Sequence, residues 1–242
     1  MRKLGKALVL LGRPANRSAL IRFRVAASTE HDAVLSASPV DLVVDVGANR
    51  GQFSLAARHF HPEARIVAFE PLASAARVYR HIFQRDERVL LHATAIGTVK
   101  GKTAMHRSGS EDSSSLFPIG EIMEELSPGT GAIGTEEVSV APLTDFLSPQ
   151  DLDCRALLKI DVQGFELEVL KSAAPLLKYF DYIYVEASFI PFYVGQPLAH
   201  DVISYVSSQG FQLAGFMNPY FHPKTAQAMQ SDLLFVNPAK PS

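Results

Sequence analysis

Apolar residues along this chain follow two alternating rhythms. Short continuous runs, Asp41 to Val46, Arg65 to Phe69 and Val89 to Ala93, read as buried strands. Between them the apolar positions space out: Phe53, Ala56, Ala57 and Phe60 fall at i, i+3, i+4 and i+7, and Leu72, Ala75, Ala76 and Tyr79 do much the same. Each set marks one face of a helix. From Ser108 to Glu137 the chain is rich in Ser, Gly, Pro and acids and reads as a polar loop. The alternation then resumes with LLKIDV (Leu157 to Val162), a helix from about Gly164, DYIYVEA (Asp181 to Ala187) and a helix near His200 to Ser208. Strands that alternate with helices predict a parallel sheet covered on both faces.

The last two strands, Phe211 to Met217 and Ser231 to Val236, have no helical pattern between them, and Asn218-Pro219 and His222-Pro223 read as a linker. An antiparallel return is expected there. The pattern therefore predicts an α/β, doubly wound, mainly parallel sheet that ends in an antiparallel hairpin. Residues 1–38 read as a basic N-terminal helical extension and 39–242 as one large domain. Seven Lys or Arg residues precede the first acid, Glu30, and Leu4, Leu8 and Leu11 form one stripe of an amphipathic helix. Its apolar run is too short for a signal peptide or membrane span. A cover for one end of the sheet is the favoured reading, with contact to a membrane surface or partner as the alternative.

Composition narrows the function classes. A net charge of -2 with 20% charged residues gives no polyanion-binding surface, so nucleic acid is disfavoured as a partner. Cys154 is the sole cysteine, which excludes an intrachain disulfide and points to a reducing, cytoplasmic setting. Oligomeric state is not legible.

Four acids fall at strand ends: Asp45, Glu70, Asp161 and Glu186. Open α/β sheets bind ligands outside the carboxyl ends of their strands, so these carboxylates are expected on one rim. Gly47 and Gly51 give G-x-x-x-G rather than the dinucleotide fingerprint G-x-G-x-x-G. Glycine lets a backbone approach a ligand, and Glu70 is placed to accept hydrogen bonds from two ribose hydroxyls. Lys159 lies two residues before Asp161, on the same strand face, and is expected to pair with a rim acid. GTVKGKT (Gly97 to Thr103) has one residue too few for a phosphate loop, and His59 and His61 lack partners at ligand spacing; no metal site is assigned.

VVDVGANRGQFS, AFEP (Ala68 to Pro71), AIG (Ala95 to Gly97), DSSSL (Asp112 to Leu116) and LLKIDVQGFELEVL (Leu157 to Leu170) together resemble the FkbM family of S-adenosylmethionine (SAM)-dependent methyltransferases, from about Asp41 to Val236. The resemblance implies a seven-stranded, Rossmann-like methyltransferase sheet, SAM as cofactor, and a hydroxyl of a sugar, glycan, polyketide or other small metabolite as acceptor. It matches Asp45, Gly47, Asn49 and Gly51 to the family's first cofactor motif and Glu70 to its ribose-binding acid. Asp112 and Ser114 correspond to a stretch near the adenine. Gln163 departs from the acid that many relatives carry there. An activated methyl group needs an aligned acceptor whose proton can leave, and Asp161 is the candidate base or orienting group, with Glu186 beside it. SFIPFYVGQP (Ser188 to Pro197) is expected to wall the acceptor side. Two rival readings are an oxidoreductase using NAD(P) and a non-catalytic nucleoside-binding assembly module.

Overall fold

The run Leu42–Val46 forms β1 and lies buried on both faces at the middle of the sheet. In a computed structural model of the chain, residues 14–240 are described. The expected Leu4, Leu8 and Leu11 stripe lies outside them. Helices α1 (Pro14–Phe23) and α2 (Asp32–Ala37) precede β1, and α3 (Gln52–Phe60) follows it. Then come β2 (Arg65–Phe69), α4 (Ala73–Phe83), β3 (Val89–His92), β4 (Ala95–Ile96), β5 (Gly101–Ser108), α5 (Glu121–Leu126) and β6 (Ala132–Ala141). The chain continues through β7 (Ala156–Ile160), α6 (Glu166–Ser172), α7 (Ala174–Leu177), β8 (Tyr182–Ser188), α8 (Ala199–Ser208), β9 (Gln212–Phe221) and β10 (Ala228–Val236).

The main sheet has seven strands in the order β3-β2-β1-β7-β8-β10-β9. The first five are parallel, and β10 runs antiparallel to both of its neighbours. Period-two alternation divides the core. Val44, Val46, Leu158, Ile160, Ile183 and Val185 face one layer with α6, α7 and α8. Val43, Ile66, Ala68, Leu157 and Tyr184 face the other with α1 to α4. Burying one large apolar side chain in either layer contributes about 1.5–3 kcal/mol.

Three expectations change. The stretch read as a polar loop holds α5 and most of β6, and β6 joins β4 and β5 in a second, three-stranded sheet. Strands β5 and β6 are exposed along much of their length and bury Met105 and Val138 against Leu72 and Ala75, so polar composition hid them. The hairpin is also longer than predicted. β9 runs through Asn218-Pro219 to Phe221, a proline that an edge strand tolerates because it needs no N–H on its outer side. Finally, Ala19, Val25, Ala27, Val34 and Leu35 pack into the same core as α3 and Tyr184. The described part of the N-terminal extension is thus built into the domain. No helix among the described residues is long and apolar enough to cross a membrane.

The turn after β1 sets the carboxyl edge of the sheet. Gly47 has φ +81, and its N–H donates to Phe69 O at 3.0 Å. A Cβ on Gly47 would lie 1.8 Å from the carbonyl oxygen of Asp161, and one on Gly51 (φ +96) would lie 2.9 Å from Phe83. Both glycines are required by close approach of the protein to itself. Gly47→Ala combines a left-handed backbone, about 1–2 kcal/mol, with a backbone clash. It is expected to lose at least about 2 kcal/mol in urea unfolding; a variant within roughly 0.5 kcal/mol of wild type contradicts this packing.

Candidate active site

Strand register lays the polar residues in two rows on the sheet face beneath α1 to α3. Asp45 pairs with Lys159, and Lys159 with Tyr184, across β1, β7 and β8. One step toward the carboxyl ends, Asp161 follows β7 while Glu186 of β8 pairs with Asp232 of β10. Neighbours in register share a face, so these side chains converge.

Lys159 joins the rows. Its Nζ lies 3.3 Å from Asp45 Oδ1 and 3.5 Å from Asp161 Oδ2, and donates to Gly47 O at 3.3 Å. Burial alone would favour the neutral amine, but Asp45 and then Asp161 more than offset it and hold the ammonium above its usual range. Asp45 is wholly buried: Ser54 Oγ donates to its Oδ2 at 2.6 Å, and Tyr79 Oη donates to Ser54 at 2.8 Å.

Asp161 and Glu186 are drawn together by Gln163, whose Nε2 donates to Asp161 Oδ1 at 2.7 Å and to Glu186 Oε2 at 2.9 Å. Tyr193 Oη in turn donates to Gln163 Oε1 at 2.8 Å. Gln163 (φ 57) and Gly164 (φ 100) form the tight turn that aims this amide back at the rim. The N–H groups of Val162 and Gly164 both donate to Glu166 Oε1, which pins the turn from behind. The two rim acids titrate in opposite directions. Burial would raise Asp161, but the Lys159 ammonium and the Gln163 amide draw it below the usual carboxylate range. Burial, reinforced by Asp161, pushes Glu186 well above that range. The pair is thus driven apart, Asp161 toward its ionised form and Glu186 toward its protonated one.

These residues floor a cavity of about 500 Å³, within the range of small-molecule sites. Glu70 stands on the opposite wall. Its Oε2 accepts from Asn49 N–H and its Oε1 from Leu72 N–H, each at 2.8 Å, and burial pushes the carboxyl up to about 7 despite those donors. Asn49 Oδ1 and Gln52 Oε1, on residues that line the cavity, are buried with no hydrogen-bond partner among the described residues. A wall carrying a carboxylate and two unanswered acceptors fits a ligand rich in donors, such as a ribose and an amino group. Ile96, Met105 and Leu116 supply an apolar side suited to a base.

The sequence-predicted residues divide accordingly. Gly47, Asn49, Glu70, Asp112, Ser114, Asp161 and Glu186 line this cavity. Asp112 is exposed and accepts from Ser110 Oγ, and Ser114 is buried with its Oγ accepting from Ser108 N–H. Asp45 and Gly51 do not line it: the first is consumed by Lys159 and Ser54, and the second abuts Phe83 and Tyr79. The Ser188 to Pro197 segment does not wall it either. Phe192 and Tyr193 pack instead with Met123 and Met229, and Tyr193 touches the site only through Gln163.

Sequence reasoning missed His31, Tyr184, Asn218 and Asp232, which line or adjoin the same cavity. Tyr184 carried a signal, since it lies two residues before Glu186 on one strand face. His31, in the N-terminal extension, carried none.

The family model described as Methyltransferase FkbM domain matches residues 45–213, more than half of the chain. The 2-O-methyltransferase NoeI of Sinorhizobium fredii is 25% identical over 164 residues, covering 65% of this chain and 68% of that protein. The 31-O-demethyl-FK506 methyltransferase FkbM of Streptomyces tacrolimicus is 30% identical over 155 residues, covering 54% of this chain and 59% of that protein. The chain thus spans about three fifths to two thirds of the length of these relatives. Among solved structures, a precorrin-6y C5,15-methyltransferase from Geobacter metallireducens superposes with TM-score 0.48 at 12% identity, covering 89% of this chain and 94% of that one.

Lys159→Met removes one partner of a buried pair whose side chains are 7% and 0% exposed. A loss of about 3–5 kcal/mol is expected by urea unfolding, with part of it recovered when Asp45→Asn is added. Strictly additive losses would show that Lys159 and Asp45 are not coupled.

Proposed function

The chain belongs to the FkbM methyltransferase family, whose methyl donor is SAM, and we propose that it methylates a hydroxyl oxygen of a small-molecule or glycan acceptor. The observation that carries this reading is the pair of rim acids, Asp161 and Glu186, bridged by the Gln163 amide at the floor of the cavity, with Asp161 drawn toward its ionised form by Lys159. The names of both relatives that specify a position refer to an oxygen.

Glu70 would hold the ribose hydroxyls, with Asn49 and Gln52 offering acceptors and Ser114 and Asp112 flanking the far side. The cofactor, when bound, supplies a methyl group already activated by a positive sulfonium. What is left to the protein is alignment, which in favourable cases lowers a barrier by roughly 7–11 kcal/mol. Asp161 accepts a hydrogen bond from a second donor of the acceptor, such as a neighbouring hydroxyl, and so orients the oxygen to be methylated. Glu186, pushed toward its protonated form by burial and by Asp161, limits the build-up of a second negative charge on the rim. Gln163 spaces the two acids through an amide where a third carboxylate would add repulsion. Because the space beside Gly47 and Gly51 is filled by protein atoms, the turn does not offer the bare approach that a pyrophosphate needs. This counts against the NAD(P) reading. The near-neutral charge and single cysteine support a metabolite acceptor and a reducing compartment.

Calorimetric titration tests the cofactor. S-adenosylhomocysteine is expected to bind, and NAD⁺ and NADP⁺ are not. Glu70→Ala should weaken binding at least about tenfold, since hydrogen bonds to a charged acceptor contribute roughly 1.5–3 kcal/mol each. Glu70 must be ionised to accept from both hydroxyls, so wild-type affinity should fall as pH drops through about 7. Dinucleotide binding alone contradicts the reading.

Asp161→Asn tests the acceptor role. Transfer should drop on the order of a hundredfold with S-adenosylhomocysteine affinity unchanged. Undiminished transfer removes Asp161 from the mechanism.

A further inference from the structure

A proton has to leave the acceptor hydroxyl, and Asp161 is a poor place for it to stay. Lys159 and Gln163 stabilise the ionised form, and a base is most effective when its affinity for protons matches the working pH. A better candidate lines the same cavity, in the short turn Thr29–His31.

The His31 ring is fixed edge-on between two aromatic rings, Phe53 at 5.2 Å and Tyr184 at 5.5 Å between centroids. Its Nδ1 lies 2.9 Å from Tyr184 Oη. Tyr184 Oη donates to Asp232 Oδ2 at 3.0 Å, and Asn218 Nδ2 donates to the same oxygen at 2.8 Å. Burial raises the Tyr184 hydroxyl above its usual range, so it retains its proton, and that proton is committed to Asp232. Burial raises Asp232, and where that carboxylate is ionised the short contact at Nδ1 assigns the imidazole as donor to the Tyr184 oxygen. Asn218 Nδ2 lies nearest Asp232 Oδ2, at 2.8 Å against 3.3 Å to Tyr184 Oη and 3.4 Å to Nδ1, so its nearest acceptor is the carboxylate. A neutral ring carrying hydrogen on Nδ1 has its lone pair on Nε2. Nε2 has no protein hydrogen-bond partner among the described residues, on a ring that lines the cavity.

We propose that His31 is the catalytic base of methyl transfer, with Tyr184 and Asp232 as the residues that position it. This rests on the methyltransferase reading and assigns the proton that reading leaves over. As the acceptor oxygen bonds to the methyl carbon and the S–CH₃ bond breaks with its electron pair left on sulfur, the hydroxyl proton passes to Nε2. The imidazolium returns it to solvent after product leaves. Asp232, with its Oδ2 3.6 Å from Nδ1, stabilises the charged ring while it lasts.

The surroundings suit the task. Burial is the largest influence on His31 and lowers it; Lys159 lowers it further, while Asp232, Glu30 and Asp161 raise it, leaving it below the usual 6.5. Neutral imidazole therefore predominates above that pH. Activity that depends on it is present above the lowered value and is lost as pH falls through it.

The first test needs no acceptor. Nitrogen-15 NMR of histidine-labelled protein, free and saturated with S-adenosylhomocysteine, reads the tautomer directly. The expected result is an Nδ1–H ring with unprotonated Nε2 above about pH 6.5, and a shift toward a mixed tautomer in Tyr184→Phe. A ring protonated on Nε2 overturns the proposal. The second test uses an acceptor identified by screening hydroxylated sugars and metabolites. His31→Asn retains a nitrogen donor near Tyr184 while deleting Nε2, and should lower kcat on the order of a hundredfold with unchanged S-adenosylhomocysteine affinity. The acid limb of the pH profile should vanish with it, and His31→Gln should behave likewise if Asn misfolds. Transfer within about threefold of wild type sinks the base assignment and spares the methyltransferase reading. Failure of the wild-type protein to bind S-adenosylhomocysteine strikes that reading itself, and the proposal falls with it.

Discussion

Lys159 places an ammonium inside the sheet, 3.3 Å from one carboxylate and 3.5 Å from another, where its side chain is 7% exposed. Taking an isolated cation out of water costs several kcal/mol, so the arrangement persists only because Asp45 and Asp161 answer it on either side. The consequences spread in two directions. Through Asp45 the charge is tied to Ser54 of α3 and Tyr79 of α4, which holds both helices on the central strands. Through Asp161 it draws one rim acid toward its ionised form, and Asp161 adds to the burial that pushes Glu186 toward its protonated form. A structural ion pair thereby biases the protonation of the chemical site.

The glycine turn follows a similar logic. Its glycines clear space for the Asp161 carbonyl and for the α4 aromatics, which brings β1 and β7 together at their carboxyl ends. Between and just beyond those glycines, Asn49 and Gln52 line the cavity and carry buried acceptors without a partner among the described residues, across from the hydrogen-bonded Glu70 carboxyl. Close packing beneath the turn and unpartnered acceptors on the residues lining the cavity are what a preorganised cofactor site requires.

Most of the sheet was legible because buried parallel strands write themselves as continuous apolar runs, and Arg65–Phe69 is recovered to the residue. The rim acids followed from the strand ends, since position along a strand fixes both depth and face. One-dimensional spacing put Asp45 at the rim but could not show that Lys159 on the adjacent strand pairs with it beneath the cavity lining. The second sheet was hidden because strands exposed along much of their length look like polar loop. His31 was invisible for a different reason. Its place depends on how the N-terminal segment folds across the sheet to meet Tyr184 and Asn218, residues that lie 153 and 187 positions away.

The central claim is that the cavity presents an acceptor oxygen to an activated methyl group. Its most direct test is NMR of the products formed from SAM carrying a carbon-13 methyl group and a panel of hydroxylated sugars and metabolites. The account predicts a new methoxy carbon signal that depends on Asp161. A labelled methyl on nitrogen, carbon or sulfur, or methoxy formation indifferent to Asp161, would contradict it.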